Sequence, residues 1–295
     1  MDDRSNWNTK SATCCWWKLC LLGLCSNLLF STPASAIPDQ PPQAMAPRSG
    51  VLIPLYIYPA AGAWDPLYQA IEAHPSIDFT VIINPADGPG SEPLPDTNYT
   101  REISRLNTFP NVRTIGYVAL DYGRRAIDGA CADIAKYAQW REMNPNLAMH
   151  GIFLDESPNL ADDHNTTLLA EVKTRIKNTS GLSSGSPNTI PFVVMNPGSI
   201  PDTRILGTID RTVVFEEQYH TYINRQAAKA LAALHDRDVL CAIMHSIPPD
   251  MPNQQLKSLI GELRELSGCL FLTDLSEDYY GRFSPRLQEY LDAMV

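Results

Sequence analysis

Cysteine is scarce once the first 36 residues are set aside. Four of the seven, Cys14, Cys15, Cys20 and Cys25, lie in that leader, and only Cys131, Cys241 and Cys269 follow. Three thiols close at most one bridge, which excludes a disulfide-stapled mini-domain. Cys131 falls in a helical stretch, and Cys241 and Cys269 at or beside predicted strands, so buried free thiols are the preferred expectation. Basic clusters are also missing. The chain carries 23 basic and 33 acidic residues, and removal of residues 1–36 leaves 20 and 31, a balance of −11. Such a surface repels nucleic acid and favours a neutral or cationic partner. No H-E-x-x-H, close Cys/His cluster, P-loop or G-x-G-x-x-G occurs, so neither a metal nor a cofactor is expected.

A long apolar run is lacking too. The uninterrupted stretch after Lys18 is only about a dozen residues, short of the ~20 that a spanning helix needs. Preceded by Lys10 and Lys18 and followed by the A-x-A site Ala34–Ala36, residues 1–36 read as a signal peptide cleaved after Ala36. The alternative is an uncleaved signal anchor, the one case in which a membrane becomes a partner. Both place the remainder outside the cytoplasm, as a secreted protein or on the outer face of the membrane or wall. The sequons at Asn98, Asn165 and Asn178 are compatible with that route. Residues 37–49 are Pro-rich and aperiodic, an extended linker.

From Gly50 to Val295, strand-like and helix-like stretches alternate. The strand candidates cover 50–58, 78–84, 112–120, 149–155, 191–196, 211–216, 238–245 and 268–274. Most are short runs rich in Val and Ile, as in a parallel sheet covered on both faces. Helical spacing appears over 127–143, 162–177, 221–235 and 251–266, with a short helix at 285–293. Eight strands in strict alternation predict a single (β/α)₈ barrel. The alternative, a doubly wound open sheet, usually carries a Gly-rich first βα turn, and here that turn reads YPAAGAWDP. The G-x-S-x-G match at Gly181–Gly185 sits in a Ser/Gly/Pro loop without the strand and helix a nucleophile elbow requires. His150, inside a strand stretch, reads as a hydrogen-bonded structural residue.

Barrel enzymes build their sites at the C-terminal strand ends. In order, those ends present Tyr56 and Tyr58, Asn84, Asp121 and Tyr122, Asp155 and Glu156, Asn196, Glu216 and Glu217, His245, and Asp274. Strands 4 and 6 differ in kind, because their carboxylates directly follow the apolar runs GIFL and TVVF. A charge there is costly unless paired or used, although helix caps and surface charges remain the alternative. Alternation puts Asp155 on the side of Phe153, Glu156 with Leu154, Glu216 with Val214 and Glu217 with Phe215. Two strands apart, at ~4.8 Å per step, inward carboxylates from strands 4 and 6 close to the ~5–9 Å separation of a glycosidase pair. That range alone does not separate retention from inversion.

The segments GVLIPLYIYP, VIINPADGPG, TIGYVALDYG, GIFLDESP and VVFEEQY, in this order, resemble the spherulin 4-like family over about residues 50–292. Its enzymatic members form glycoside hydrolase family 135. The resemblance implies a (β/α)₈ barrel that cleaves α-1,4-linked N-acetylgalactosamine in galactosaminogalactan, with the family's acidic residues falling on Asp155, Glu156 and Glu216. On this reading the partner is a galactosamine-containing polysaccharide. Asp155 serves as nucleophile, Glu216 as acid/base and Glu156 as a tuning carboxylate, with Tyr56, Asn84, Asp121, Tyr122, Asn196 and His245 lining the groove. A non-catalytic carbohydrate-binding or wall-structural barrel, or a hydrolase of another polysaccharide, is the alternative. N-terminal sequencing of protein from the culture medium should begin at Ile37, whereas an intact leader in a membrane pellet identifies an anchor.

Overall fold

The computed structural model describes residues 47–182, 190–234 and 236–295. The leader, most of the linker and the serines of the G-x-S-x-G match lie outside the described residues. The described residues form one compact unit. Its eight strands are β1 (Gly50–Leu55), β2 (Phe79–Ile83), β3 (Val112–Ala119), β4 (Gly151–Asp155), β5 (Phe192–Met195), β6 (Arg211–Gln218), β7 (Leu240–His245) and β8 (Cys269–Leu272). Each pairs in parallel with its neighbour, and β8 returns to β1, so the sheet closes into the expected barrel. The seam is short, with Gly50 opposite Cys269 and Val51 opposite Leu270.

Two apolar layers follow from the alternation of side chains along each strand. Leu52, Ile82, Ile115, Phe153, Val194, Val213 and Ile243 fill the barrel interior. Val51, Ile53, Val81, Leu154, Val193 and Met244 face the surrounding helices. Those helices are α1 (Asp65–Ala73), α2 (Thr97–Leu106), α3 (Ile127–Met143), α4 (Asp163–Asn178), α5 (Tyr219–Asn224), α6 (Ala227–Ala232), α7 (Asn253–Leu266) and α8 (Leu287–Asp292). Gly116 shows how closely they dock. A Cβ there would meet the Tyr137 ring at 2.6 Å, and the Tyr137 hydroxyl donates to the Ile83 carbonyl at 3.1 Å. The missing side chain lets α3 lie against β2 and β3.

Strict alternation does not hold. No helix separates β5 from β6 among the described residues; a run of turns from Thr203 to Gly207 makes the crossover. The crossover still buries Ile205 and Ile209, so an irregular segment covers the sheet where a helix was expected. The helical stretch at 221–235 is likewise broken into α5 and α6, with Gln226 in the left-handed region at φ 49° between them.

The expectation of free thiols at Cys241 and Cys269 is also corrected, because the two form a disulfide. They stand opposite one another in the β7–β8 register, on the inner face, with Cα atoms 4.6 Å apart. Among the described residues Cys131 is the one free cysteine, and it is half-buried. The pairing was hidden because it depends on register, which the runs DVLCAIMH and GCLFLTD do not reveal. The bridge joins residues separated by 28 positions, and restricting such a loop in the unfolded chain contributes roughly 3–4 kcal/mol. Replacing both cysteines by alanine should therefore lower Tm by roughly 5–15 °C. Reductant should lower the wild-type Tm in scanning calorimetry and leave the double variant unaffected.

Candidate active site

The C-terminal ends of the strands bring two carboxylates together. Asp155 closes β4 and shares the inner face with Phe153, as alternation requires. Glu216 arrives by a different route. Strand β6 carries a bulge between Val213 and Phe215, where the register against β7 shifts. Val213 packs inside the barrel, while Val214 and Phe215 both join the outer layer. After this extra residue Glu216 stands opposite the inward Ile243. Glu216 is thus inward as expected, but the expectation that it shares a side with Val214 is wrong. Without the bulge, the alternation set by Val213 would turn Glu217 inward. Bulges commonly re-aim side chains beside active sites.

One amide spans the pair. Asn196, directly after β5, donates through Nδ2 to Asp155 Oδ1 at 3.0 Å and to Glu216 Oε2 at 2.6 Å. Its own Oδ1 accepts the Gly198 N–H at 3.0 Å, which fixes the orientation of the amide. Two oxygens bonded to one nitrogen are no more than about 5.6 Å apart. Tyr117, on β3, donates its hydroxyl to Asp155. Tyr280, in the loop after β8, donates to the other oxygen of Glu216. Burial pushes Asp155 above the usual carboxylate range, opposed by the hydrogen bonds from Tyr117, the Glu156 N–H and Asn196, while the charge of Glu216 adds to the rise. The hydroxyls of Tyr56, Tyr117 and Tyr280 are raised by burial and by the adjacent carboxylates, so they remain neutral donors.

An aromatic wall adjoins the acids. Tyr56 sits edge-on to Tyr117 and Tyr280, with ring centres 5.8 and 5.4 Å apart. His245, ending β7, stacks on Tyr279 at 4.2 Å with planes 2° apart. Burial lowers the pKa of His245 even though Glu217 and Glu216 pull it up, which keeps a neutral, flat ring at the mouth. Flat faces beside fixed polar groups suit a ring-shaped ligand.

The other expected residues are placed less centrally. Asn84 uses its side-chain oxygen to accept the Gly88 N–H at 2.8 Å and so holds the loop after β2. Asp121 is directed to solvent and paired with Arg124 at 2.5 Å; that hydrogen bond lowers its pKa and removes it from the acid pair. Tyr122 is 54% exposed, and its N–H donates to the Glu156 carbonyl at 2.6 Å. Glu156 lies past the strand in the left-handed region, at φ 47°, so its side chain leaves the alternation. Glu217 takes a long bond of 3.4 Å from Thr221. Asp274 accepts from Ser284 at 2.6 Å, as a turn residue does. His150 accepts the Thr114 N–H at 3.3 Å, in keeping with a structural role. Tyr117, Tyr279 and Tyr280 were not anticipated. Tyr117 was legible by alternation with Ile115, whereas Tyr279 and Tyr280 carry no periodic signal in their loop.

Residues 50–294 match the sequence profile of spherulation-specific family 4. Spherulin-4 of Physarum polycephalum is 35% identical over 178 residues, 60% of this chain and 48% of that protein. The chain therefore spans about half the length of that curated relative. The crystal structure of Aspergillus clavatus Sph3 in complex with GalNAc superposes with a TM-score of 0.80 at 45% identity, covering 85% of this chain and 98% of the other. On the match across nearly all of its barrel, the chain belongs to spherulation-specific family 4.

Proposed function

We propose that the chain is an extracellular, retaining glycoside hydrolase that cleaves α-1,4-linked N-acetylgalactosamine within a galactosaminogalactan-type polysaccharide. One observation carries the catalytic part. Asp155 and Glu216 share the Asn196 nitrogen, which holds one oxygen of each within about 5.6 Å of the other, as the ~5–5.5 Å separation of a retaining pair requires. The choice of sugar is supported by the GalNAc bound to the A. clavatus protein. The disulfide suits an oxidising compartment. An acidic mature chain favours a polymer carrying some free amines.

In this reading Glu216 donates a proton to the leaving glycosidic oxygen while Asp155 attacks the anomeric carbon, giving a covalent glycosyl-enzyme and a free chain end. Glu216 then takes a proton from water as that water displaces Asp155, so configuration is inverted twice and retained overall. Asn196, Tyr117 and the Glu156 N–H hold Asp155 as an oriented anion despite its burial. Tyr280 holds Glu216. A second assignment, with the two roles exchanged, is favoured by the raised pKa of Asp155, since a donor works best near the operating pH.

Release of reducing ends from purified galactosaminogalactan tests the activity, and binding without release identifies a non-catalytic barrel. Asp155→Asn and Glu216→Gln should each lower kcat by about 10²–10⁴ while folding normally. Glu217→Gln, on the outward side, should fall by less than about tenfold, and Glu156→Gln should retain part of the activity. Azide separates the two assignments. The nucleophile variant should yield a glycosyl azide of inverted configuration and the acid/base variant one of retained configuration, as read by NMR.

Stability supplies an independent check. A carboxyl raised in the folded state stabilises fully below its unfolded pKa, about 3.9 for Asp, and loses that contribution as pH rises through the folded value. Asp155 is therefore a net burden at pH 7. Asp155→Asn should melt higher than wild type at pH 7, with the gap closing as the pH falls below about 4. An equal gap at both pH values would remove burial of that charge as the cause.

A further inference from the structure

At the end of the barrel opposite the carboxylates, the N-terminal strand ends line an open cavity of about 670 Å³. Its wall includes Arg48, Arg113, His150, Phe192 and Arg211. Arg113 is the second residue of β3, two before the inward Ile115, and Arg211 is the first of β6, two before the inward Val213. Both guanidinium groups lie over one ring. The Arg113 carbon is 4.4 Å and the Arg211 carbon 5.8 Å from the centre of Phe192. The two cations are accordingly within about 10 Å of one another.

Arg211 commits one nitrogen to the Gly268 carbonyl at 2.8 Å, which leaves most of its five-donor fork available. His150 accepts the Thr114 N–H on Nδ1, so its proton belongs on Nε2, a further donor in the wall. Burial first, and then the charge of Arg113, lower the pKa of both His150 and Arg211. Two acids, Asp78 and Asp238, also line the cavity and pull the Arg211 pKa back up. Asp238 pairs with Arg237, and Asp78 is exposed. In a mature chain of balance −11, a cavity richer in guanidinium than in carboxylate runs against the surface as a whole.

We propose that this basal cavity binds a sugar-sized molecule bearing one oxyanionic group, a phosphate or a carboxylate, held between Arg113 and Arg211. Guanidinium forks match either group bidentately, and an anion placed between two cations removes their mutual repulsion. The space greatly exceeds that of a lone oxyanion, since a water occupies about 30 Å³, so the anion is carried on a larger body. The base of such a barrel ordinarily serves stability. This one is built for recognition, independently of whether the mouth turns over a glycan.

Calorimetric titration of the whole protein at constant ionic strength tests the proposal, with glucose 6-phosphate, glucuronate and glucose as probes. At least one of the two anionic sugars should bind, and neutral glucose should not. The tighter of the two identifies the group as phosphate or carboxylate. Arg113→Gln removes a solvent-accessible head and should fold. It should weaken binding by about 10- to 100-fold, the value of a lost charge-assisted bond, with glycan cleavage unchanged. Arg113→Lys keeps the charge without the fork and should fall between. Unchanged affinity in Arg113→Gln, or no binding of either anionic sugar to the wild type, would overturn the site.

Discussion

Two carboxyl groups held side by side in the mouth of a closed barrel are the constraint around which this fold is organised. Ionising both would set like charges against each other, and burial strips away the water that would otherwise screen them. The structure answers with fixed donors rather than with counter-ions. The Asn196 amide serves both acids, Tyr117 and the Glu156 N–H serve Asp155, and Tyr280 serves Glu216. A lysine or arginine in the same place would neutralise the pair and lower both pKa values. Neutral donors orient the carboxylates and leave one of them raised. The tyrosines suit this task because burial keeps their protons in place.

The position of those donors depends on barrel closure. Tyr117 comes from β3, Asp155 from β4, Asn196 from the end of β5, Glu216 from β6 and Tyr280 from beyond β8. No local segment contains the site. Only the parallel register of the sheet aligns these strand ends at one level, and only the β6 bulge turns Glu216 rather than Glu217 inward. One surplus residue in a single strand thus decides which of two adjacent glutamates faces the acid of β4.

Much of this was legible in the sequence, and the failures have physical reasons. The apolar runs located all eight strands because strands covered on both faces leave an unbroken hydrophobic signature. Asp155 was readable because it ends a regular strand. Glu216 was reached with the wrong partner, since RTVVFEEQ looks equally regular with or without a bulge. Helices α1 and α2 were not read, although Asp96 caps α2 by accepting from the Asn98 and Tyr99 amides, a start signal visible in PDTNYT. The Cys241–Cys269 bridge and the helix-free crossover between β5 and β6 depend on register and tertiary packing, which composition does not encode. Tyr279 and Tyr280 lie in a loop, where no periodicity marks an inward side chain.

The order of these residues along the chain has a consequence of its own. Tyr280 follows the last strand, and β8 must pair with β1 before the loop that carries it can reach Glu216. The wall of the mouth is therefore completed only once the barrel has closed. A chain interrupted before that loop would contain both acids but lack the tyrosine that holds Glu216.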